Sequence, residues 1–319
     1  MNELKTFISL EDLAKLADEQ YIKMIKENKI KDIVKAIGLF PDQTITNDVL
    51  ILTQNPNATH VKRLSDWGYY KRKVKEEQKG LKIISHILKK YNIDKTDEFG
   101  NIYSQGVEKL DTEMGFVFDI SQTEGKDYEY LNSNKENIAK HFEAVKNSLE
   151  RTARGFEFEY KDIDNNSEID LTNKKITIKD GLSIDEVINT LIDSVTTVLL
   201  TTRRAEGLEN LEDFEQNAVI YAVKSKLGLD VPDFTLDTNS LNENGLVELK
   251  NNLQKIRSVT KQMLSNIESS IEYAVRQLIK EEKEKTGQVE ENKEQIKHTT
   301  KAKTEMAKAN TKKTESEVQ

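Results

Sequence analysis

The stretch GFEFEYKDIDNNSEIDLTNKKITIKDGLSIDEVINTLIDSVTTVLL, residues 155–200, changes its hydrophobic period partway along. Phe156, Phe158 and Tyr160 alternate with charged neighbours, and Ile169, Leu171, Ile176 and Ile178 continue the pattern. A period of two marks strands with one buried face. The Asn165-Asn166 and Thr172-Asn173 pairs supply turns, so the spacing predicts strand and hairpin. A helix is predicted over 184–201, where the apolar positions move to helical spacing. Strands and helices in separate runs define the class as α+β.

Outward from this stretch, LEDLAKLADEQYIKMIKE (10–27) has apolar residues at helical spacing. Thr44 is placed to cap a helix carrying Ile45, Val49, Leu50 and Leu52, which Pro56 ends. Residues 92–112 are polar and read as an exposed insertion, whereas MGFVFDISQT (114–123) reads as a buried strand. LEDFEQNAVIYAVKSKLG (211–228) is a helix closed by Gly228. From Leu246 to Leu278 apolar residues recur at steps of three and four, apart from one gap of seven between Ile256 and Met263, which predicts one long amphipathic helix. Two readings fit that helix: packing on its own domain, or a coiled-coil dimer. From about Gly287 almost no aliphatic and no aromatic residue remains, and the tail is expected to be disordered. The expected organisation is therefore residues 1–125, 126–238, a helix over 239–286 and a polar tail over 287–319.

Composition narrows the function classes. The chain has no cysteine, which excludes disulfides, thiolate zinc sites and thiol nucleophiles. Neither a signal peptide nor an apolar run of about 20 residues is recognisable, so a cytoplasmic protein without a membrane span is expected. The net charge of −8 opposes bulk polyanion binding, yet residues 60–90 hold ten Lys/Arg against three Asp/Glu. That local surplus of about seven positive charges on an acidic chain predicts one positive surface.

The positive surface coincides with aromatic residues. QNPNATHVKRLSDWGYYKRKVKEEQKGLKI (54–83) carries the only tryptophan, Trp67, beside Tyr69 and Tyr70. Lys62, Arg63, Lys71, Arg72, Lys73, Lys75, Lys79 and Lys82 surround them. Aromatic faces that stack on unpaired bases, interleaved with cations that follow phosphates, suit single-strand binding. The competing reading makes Trp67 and one tyrosine core and the lysines a solvated rim; composition leaves both open.

A family resemblance adds to this. TITNDVLILTQNPNATHV, with Asn47, Gln54, Pro56, Ala58 and Thr59, resembles the N-terminal domain of ArdC-type antirestriction proteins, as do KVKEEQKGLKI and FDISQTEG (118–125), and Asn47, Gln54 and Asn55 join the candidate nucleic-acid contacts. The architecture also resembles LtrC-like plasmid transfer proteins. The resemblance implies a single-stranded DNA-binding domain over about 10–125, followed by a zinc-metallopeptidase-like domain, on a plasmid, phage or other mobile element. It implies single-stranded DNA as partner, with conjugation or phage proteins as further candidates.

The second half departs from that pattern. Where the family carries His-Glu-x-x-His, this chain has Asp193, Ser194, Val195, Thr196 and Thr197, and Glu215 stands near the third ligand position. A zinc protease needs neutral imidazoles for the ion and a carboxylate to deprotonate its water. Asp193, Thr197 and Glu215 offer only oxygens and Ser194 is no general base, so no cofactor and no catalysis are expected. No phosphate-binding loop or G-x-S-x-G elbow replaces them. The sequence thus supports a single-stranded DNA-binding protein with a degenerate protease-like domain. The rival is an interaction protein of a transfer or regulatory complex, to which DNA is incidental.

Overall fold

The computed structural model describes residues 9–126, 135–202, 212–238 and 241–316. It divides into two compact units, Met1–Glu268 and Ser269–Gln319. Three helices open the first unit: α1 (Leu10–Lys26), α2 (Ile30–Leu39) and α3 (Ile45–Gln54). Ser9 starts α1 through a capping box, its hydroxyl accepting from the Asp12 amide while the Asp12 carboxylate accepts from the Ser9 amide. Thr44 caps α3 as its position predicts, accepting from the Asn47 amide at 3.2 Å. α2, at ten residues, gives only a short periodic run and is not distinguished by its sequence.

The basic segment folds as β1 (Val61–Lys62), α4 (Leu64–Tyr69) and β2 (Arg72–Val74). It is followed by two long strands, β3 (Leu81–Thr96) and β4 (Ile102–Asp119), and by the short β5 (Thr123–Gly125). β4 is central in a sheet of order β1-β4-β3, and β2 pairs antiparallel with β5. Leu81, Ile83 and Val117 point into a core with Ala36, Phe40, Ile51, Ala58 and Val61. Ile84 and Met114 pack with Leu13, Ala17 and Leu50. Beyond these residues β3 and β4 continue as a two-stranded arm, paired through Thr96↔Ile102. The segment 92–112 is thus exposed as expected, and its backbone forms the ends of β3 and β4 with the turn between them. Its cross-strand pairing does not depend on an apolar pattern, which is why periodicity did not reveal it.

The second half contributes α5 (Lys135–Lys140), α6 (Phe142–Thr152), β6 (Glu157–Lys161), β7 (Ser167–Asp170) and β8 (Lys175–Lys179). α7 (Ile184–Thr202), α8 (Glu212–Leu227) and α9 (Glu243–Ser316) follow. Asp170 organises the β7–β8 turn by accepting from the Thr172 and Asn173 amides, so this hairpin is where the sequence places it. The Asn165-Asn166 turn is different: β6 runs parallel to β8, giving the order β6-β8-β7, so its chain crosses over instead of folding back.

The boundaries expected near residues 125 and 238 are crossed by close packing. A Cβ on Gly38 of α2 would stand 2.2 Å from the Ala222 carbonyl oxygen of α8, so the two helix backbones touch there. Thr238 donates to the Ile25 carbonyl, and the buried Arg257 of α9 donates to the Phe40 carbonyl and pairs with the buried Asp48 carboxylate. The amphipathic stretch of α9 within the first unit therefore packs on its own chain.

Backbone helix continues through Ser316, into the stretch expected to be disordered. Polar composition forbids a packed core there, yet Glu, Lys, Ala and Gln are strong helix formers. The polar loop expected after residue 201 lies largely outside the described residues. Among the described residues no helix is long and apolar enough to cross a membrane.

Candidate nucleic-acid interface

The predicted interface residues separate into a framework and a surface. Trp67 belongs to the framework: it is 0% exposed, and its indole Nε1 donates to the Phe118 carbonyl at 3.0 Å. That bond ties α4 to the central strand and corrects the expectation that Trp67 stacks on a base. A lone tryptophan in a short amphipathic turn had more apolar area to bury than solvent exposure would allow.

Asn47 and Gln54 also serve the fold. β3 pairs with β4 along one edge, which leaves the amides and carbonyls of Lys82 and Ile84 facing α3. Gln54 accepts from the Lys82 amide and donates to the Lys82 carbonyl, both at 2.8 Å. Asn47 does the same for Ile84, both at 2.9 Å. Two side-chain amides thus take the place of a further strand. Asn55 is the C-cap of α3 and accepts from the Asn57 amide. Arg72 is buried, with its guanidinium donating to the Thr123 hydroxyl and carbonyl and to the Lys126 carbonyl. For these residues the polar groups expected to meet DNA are spent on backbone.

The remaining residues form the surface. Tyr69 is 67% exposed and packs edge-on against Tyr70, with ring centroids 5.2 Å apart. Tyr70 is half-buried on Trp67, and the Lys62 ammonium stands 4.9 Å from its ring centroid, a cation–π distance. Arg63, Lys71, Lys75 and Lys79 are exposed, and Lys82 is half-buried. Among the described residues no carboxylate pairs with Lys62, Arg63, Lys71, Lys75 or Lys79, whereas Lys73 pairs with Glu124 at 2.9 Å. Lys75 donates instead to the Ser121 carbonyl.

Two residues that the sequence reading treated only as buried strand join this surface. Phe116 is 49% exposed and Phe118 half-buried, on the face of β4 opposite the core residue Val117. Phe116 faces Lys82 across the β3 pairing and Phe118 faces Lys62 across the β1 pairing. The signal was present in the alternation of MGFVFD, since a strand at a core surface has one wet face.

Behind the surface, His60 is half-buried with its ring centroid 5.8 Å from that of Trp67, and its Nδ1 lies 3.4 Å from the buried Lys226 ammonium. Burial first, then the Lys226 and Lys62 charges, holds His60 well below the usual imidazole range. Burial likewise pulls Lys226 down, against the pull of Glu268 4.0 Å away.

Asp193 and Thr197 on α7 make their side-chain contacts with α8, whereas Ser194 turns to β7. Asp193 pairs with the buried Lys224 ammonium at 2.9 Å. Ser194 donates to the Ser167 hydroxyl of β7 at 3.0 Å, and Thr197 accepts from Gln216 at 3.0 Å while donating to the Asp193 carbonyl. Glu215 is half-buried on α8. Burial raises the Asp193 carboxyl, and Lys224 opposes the shift. A fixed ammonium beside these oxygens, with no imidazole, does not fit a resident zinc ion. Among the described residues no group of three or more His, Asp or Glu side chains could hold a metal.

No family model and no curated protein matches this chain. Two solved structures to which it is similar are those of the antirestriction ArdC protein from plasmid R388. Its metal-free form shows 15% identity and a TM-score of 0.36 over 82% of this chain and 98% of that chain. The Mn(II)-bound form shows 13% identity and a TM-score of 0.33 over 82% and 96%.

Proposed function

We propose that the chain binds single-stranded DNA without sequence preference through the surface formed by β1, α4 and the β2–β3 connection. The observation that carries this reading is the exposed Tyr69, packed on the half-buried Tyr70 beside Lys62, Arg63 and Lys71, none of which forms an ion pair with a carboxylate among the described residues. Aromatic faces offer stacking of about 1–3 kcal/mol per base, and the cations follow the phosphates. The motif resemblance over 44–61, 73–83 and 118–125 supports a role on a mobile element, protecting or handling incoming DNA in an antirestriction-like manner. In this reading the α7–α8 region is a protease-like fold without catalysis. Lys224 stands where a metal's charge would have to be accommodated.

The test is anisotropy of a labelled single strand of about 20 nucleotides, and of its duplex, across a salt series. Preferential binding of the single strand, weakening with salt and in Tyr69→Ala, is expected. Absence of single-strand binding at low salt would overturn the reading.

A second reading, an interaction protein, is favoured by the arm, where Leu88 and Leu110 face each other and are both exposed. An isolated two-stranded ribbon is marginal in water, and a second copy of the chain laid against this pair would bury it. Self-association that is lost in Leu88→Glu/Leu110→Glu, together with no DNA binding, would favour this reading.

A further inference from the structure

We infer that Phe116, with Phe118, is a base-stacking platform on the part of the β1-β4-β3 sheet face that lies beyond Ile84 and Met114, which pack on Leu13, Ala17 and Leu50, and that it is set between Lys62 and Lys82. The inference rests on the single-strand reading above and assigns that reading a rigid, sheet-borne contact. Phe116 and Phe118 occupy alternate positions of the central strand and share one face. Their cross-strand neighbours on that face are Lys82 and Lys62, one on each flanking strand. Aromatics on a central strand with cations to either side provide base stacking and phosphate contact in one plane.

Gly80 completes the platform. A Cβ there would lie 2.9 Å from the Phe116 Cβ and 3.1 Å from the Phe118 Cζ, so the Phe118 ring reaches across the space that a side chain would fill. The backbone beneath is held from two sides: Trp67 donates to the Phe118 carbonyl, and Gln122 donates to the Lys79 carbonyl at 2.9 Å. A half-exposed phenylalanine on so fixed a strand loses little conformational freedom when a base covers it.

The spacing selects the substrate. Residues two apart on a strand stand about 6.7 Å apart, roughly twice the 3.4 Å rise of stacked nucleotides. Bases meeting both rings must therefore be separated from each other, which a single strand allows and a paired duplex does not.

The experiment compares wild type, Phe116→Ala, Phe116→Trp and Lys79→Gln by anisotropy on oligodeoxythymidine and on duplex of the same length, across salt. Thermal unfolding of each variant controls for folding. Phe116→Ala is expected to weaken single-strand binding about 5- to 150-fold while leaving the salt slope and duplex binding unchanged. Lys79→Gln instead lowers the slope by about 0.7. Phe116→Trp is expected to retain binding, and its new exposed indole should be quenched by oligodeoxythymidine. If wild type binds no single strand, the functional reading fails and the platform with it. If wild type binds and Phe116→Ala binds equally well, the reading stands and the platform is overturned.

Discussion

Gln54 and Lys82 exchange two hydrogen bonds, side-chain amide against strand backbone, each 2.8 Å long. Asn47 and Ile84 repeat the arrangement one pleat further along β3. Replacing either amide by leucine strands an amide and a carbonyl at a largely buried helix–strand contact. Each substitution should cost about 1–3 kcal/mol, read as a lower urea midpoint at unchanged m. An unchanged midpoint in both Asn47→Leu and Gln54→Leu would mean that water satisfies the edge and the clamp is dispensable.

Trp67 is the only tryptophan and is fully buried, so its fluorescence reports the α4–β4 contact without interference. Native emission should resist acrylamide quenching, and quenching should rise sharply on unfolding. Trp67→Phe keeps most of the packing but loses the bond to the Phe118 carbonyl, a change of about 1 kcal/mol. Strong quenching of the native indole would contradict its placement.

These two cases show what the sequence could convey. The helix caps at Ser9 and Thr44 and the Asp170 turn are local, formed by residues within three positions of each other, and of these Thr44 and the Thr172-Asn173 turn were read directly. The roles of Asn47, Gln54 and Arg72 are not local. Their partners lie 28 to 54 residues away, and nothing in an Asn or Gln distinguishes a clamp on a strand edge from a ligand for DNA. The basic surface was legible because surplus charge has to stay solvated. Which aromatic faced the solvent was not, since Trp67 and Tyr69 differ only in the side of a six-residue helix they occupy.

His60 gives stability a pH dependence. Its folded pKa lies well below the ordinary value of 6.5, chiefly through burial, so the unfolded chain binds the proton more readily. The stabilisation from a neutral His60 is fully present above pH 6.5 and is lost as pH falls below it towards the folded pKa. The slope approaches about 1.4 kcal/mol per pH unit. His60→Gln should flatten this contribution in denaturation curves between pH 7 and 5. A variant that loses stability as steeply as wild type over that window would remove His60 as the source.

Between α7 and α8, the Lys224 ammonium 2.9 Å from Asp193 makes a prediction about introducing a metal site. Introducing Asp193→His and Thr197→His supplies two imidazoles on one helix face, and Ser194→Glu adds the carboxylate that would serve as general base. The triple variant should nevertheless bind zinc poorly, because a buried ammonium beside residue 193 repels a dication where little water screens it. Adding Lys224→Met removes that charge, and zinc affinity measured by competition with a chromogenic chelator should then rise at least tenfold. Zinc should also raise the melting temperature of the quadruple variant, while chelator should leave that of wild type unchanged. Equal zinc affinity in the triple and quadruple variants would show that Lys224 is not the obstacle. The obstacle to zinc would then lie in the helix geometry itself.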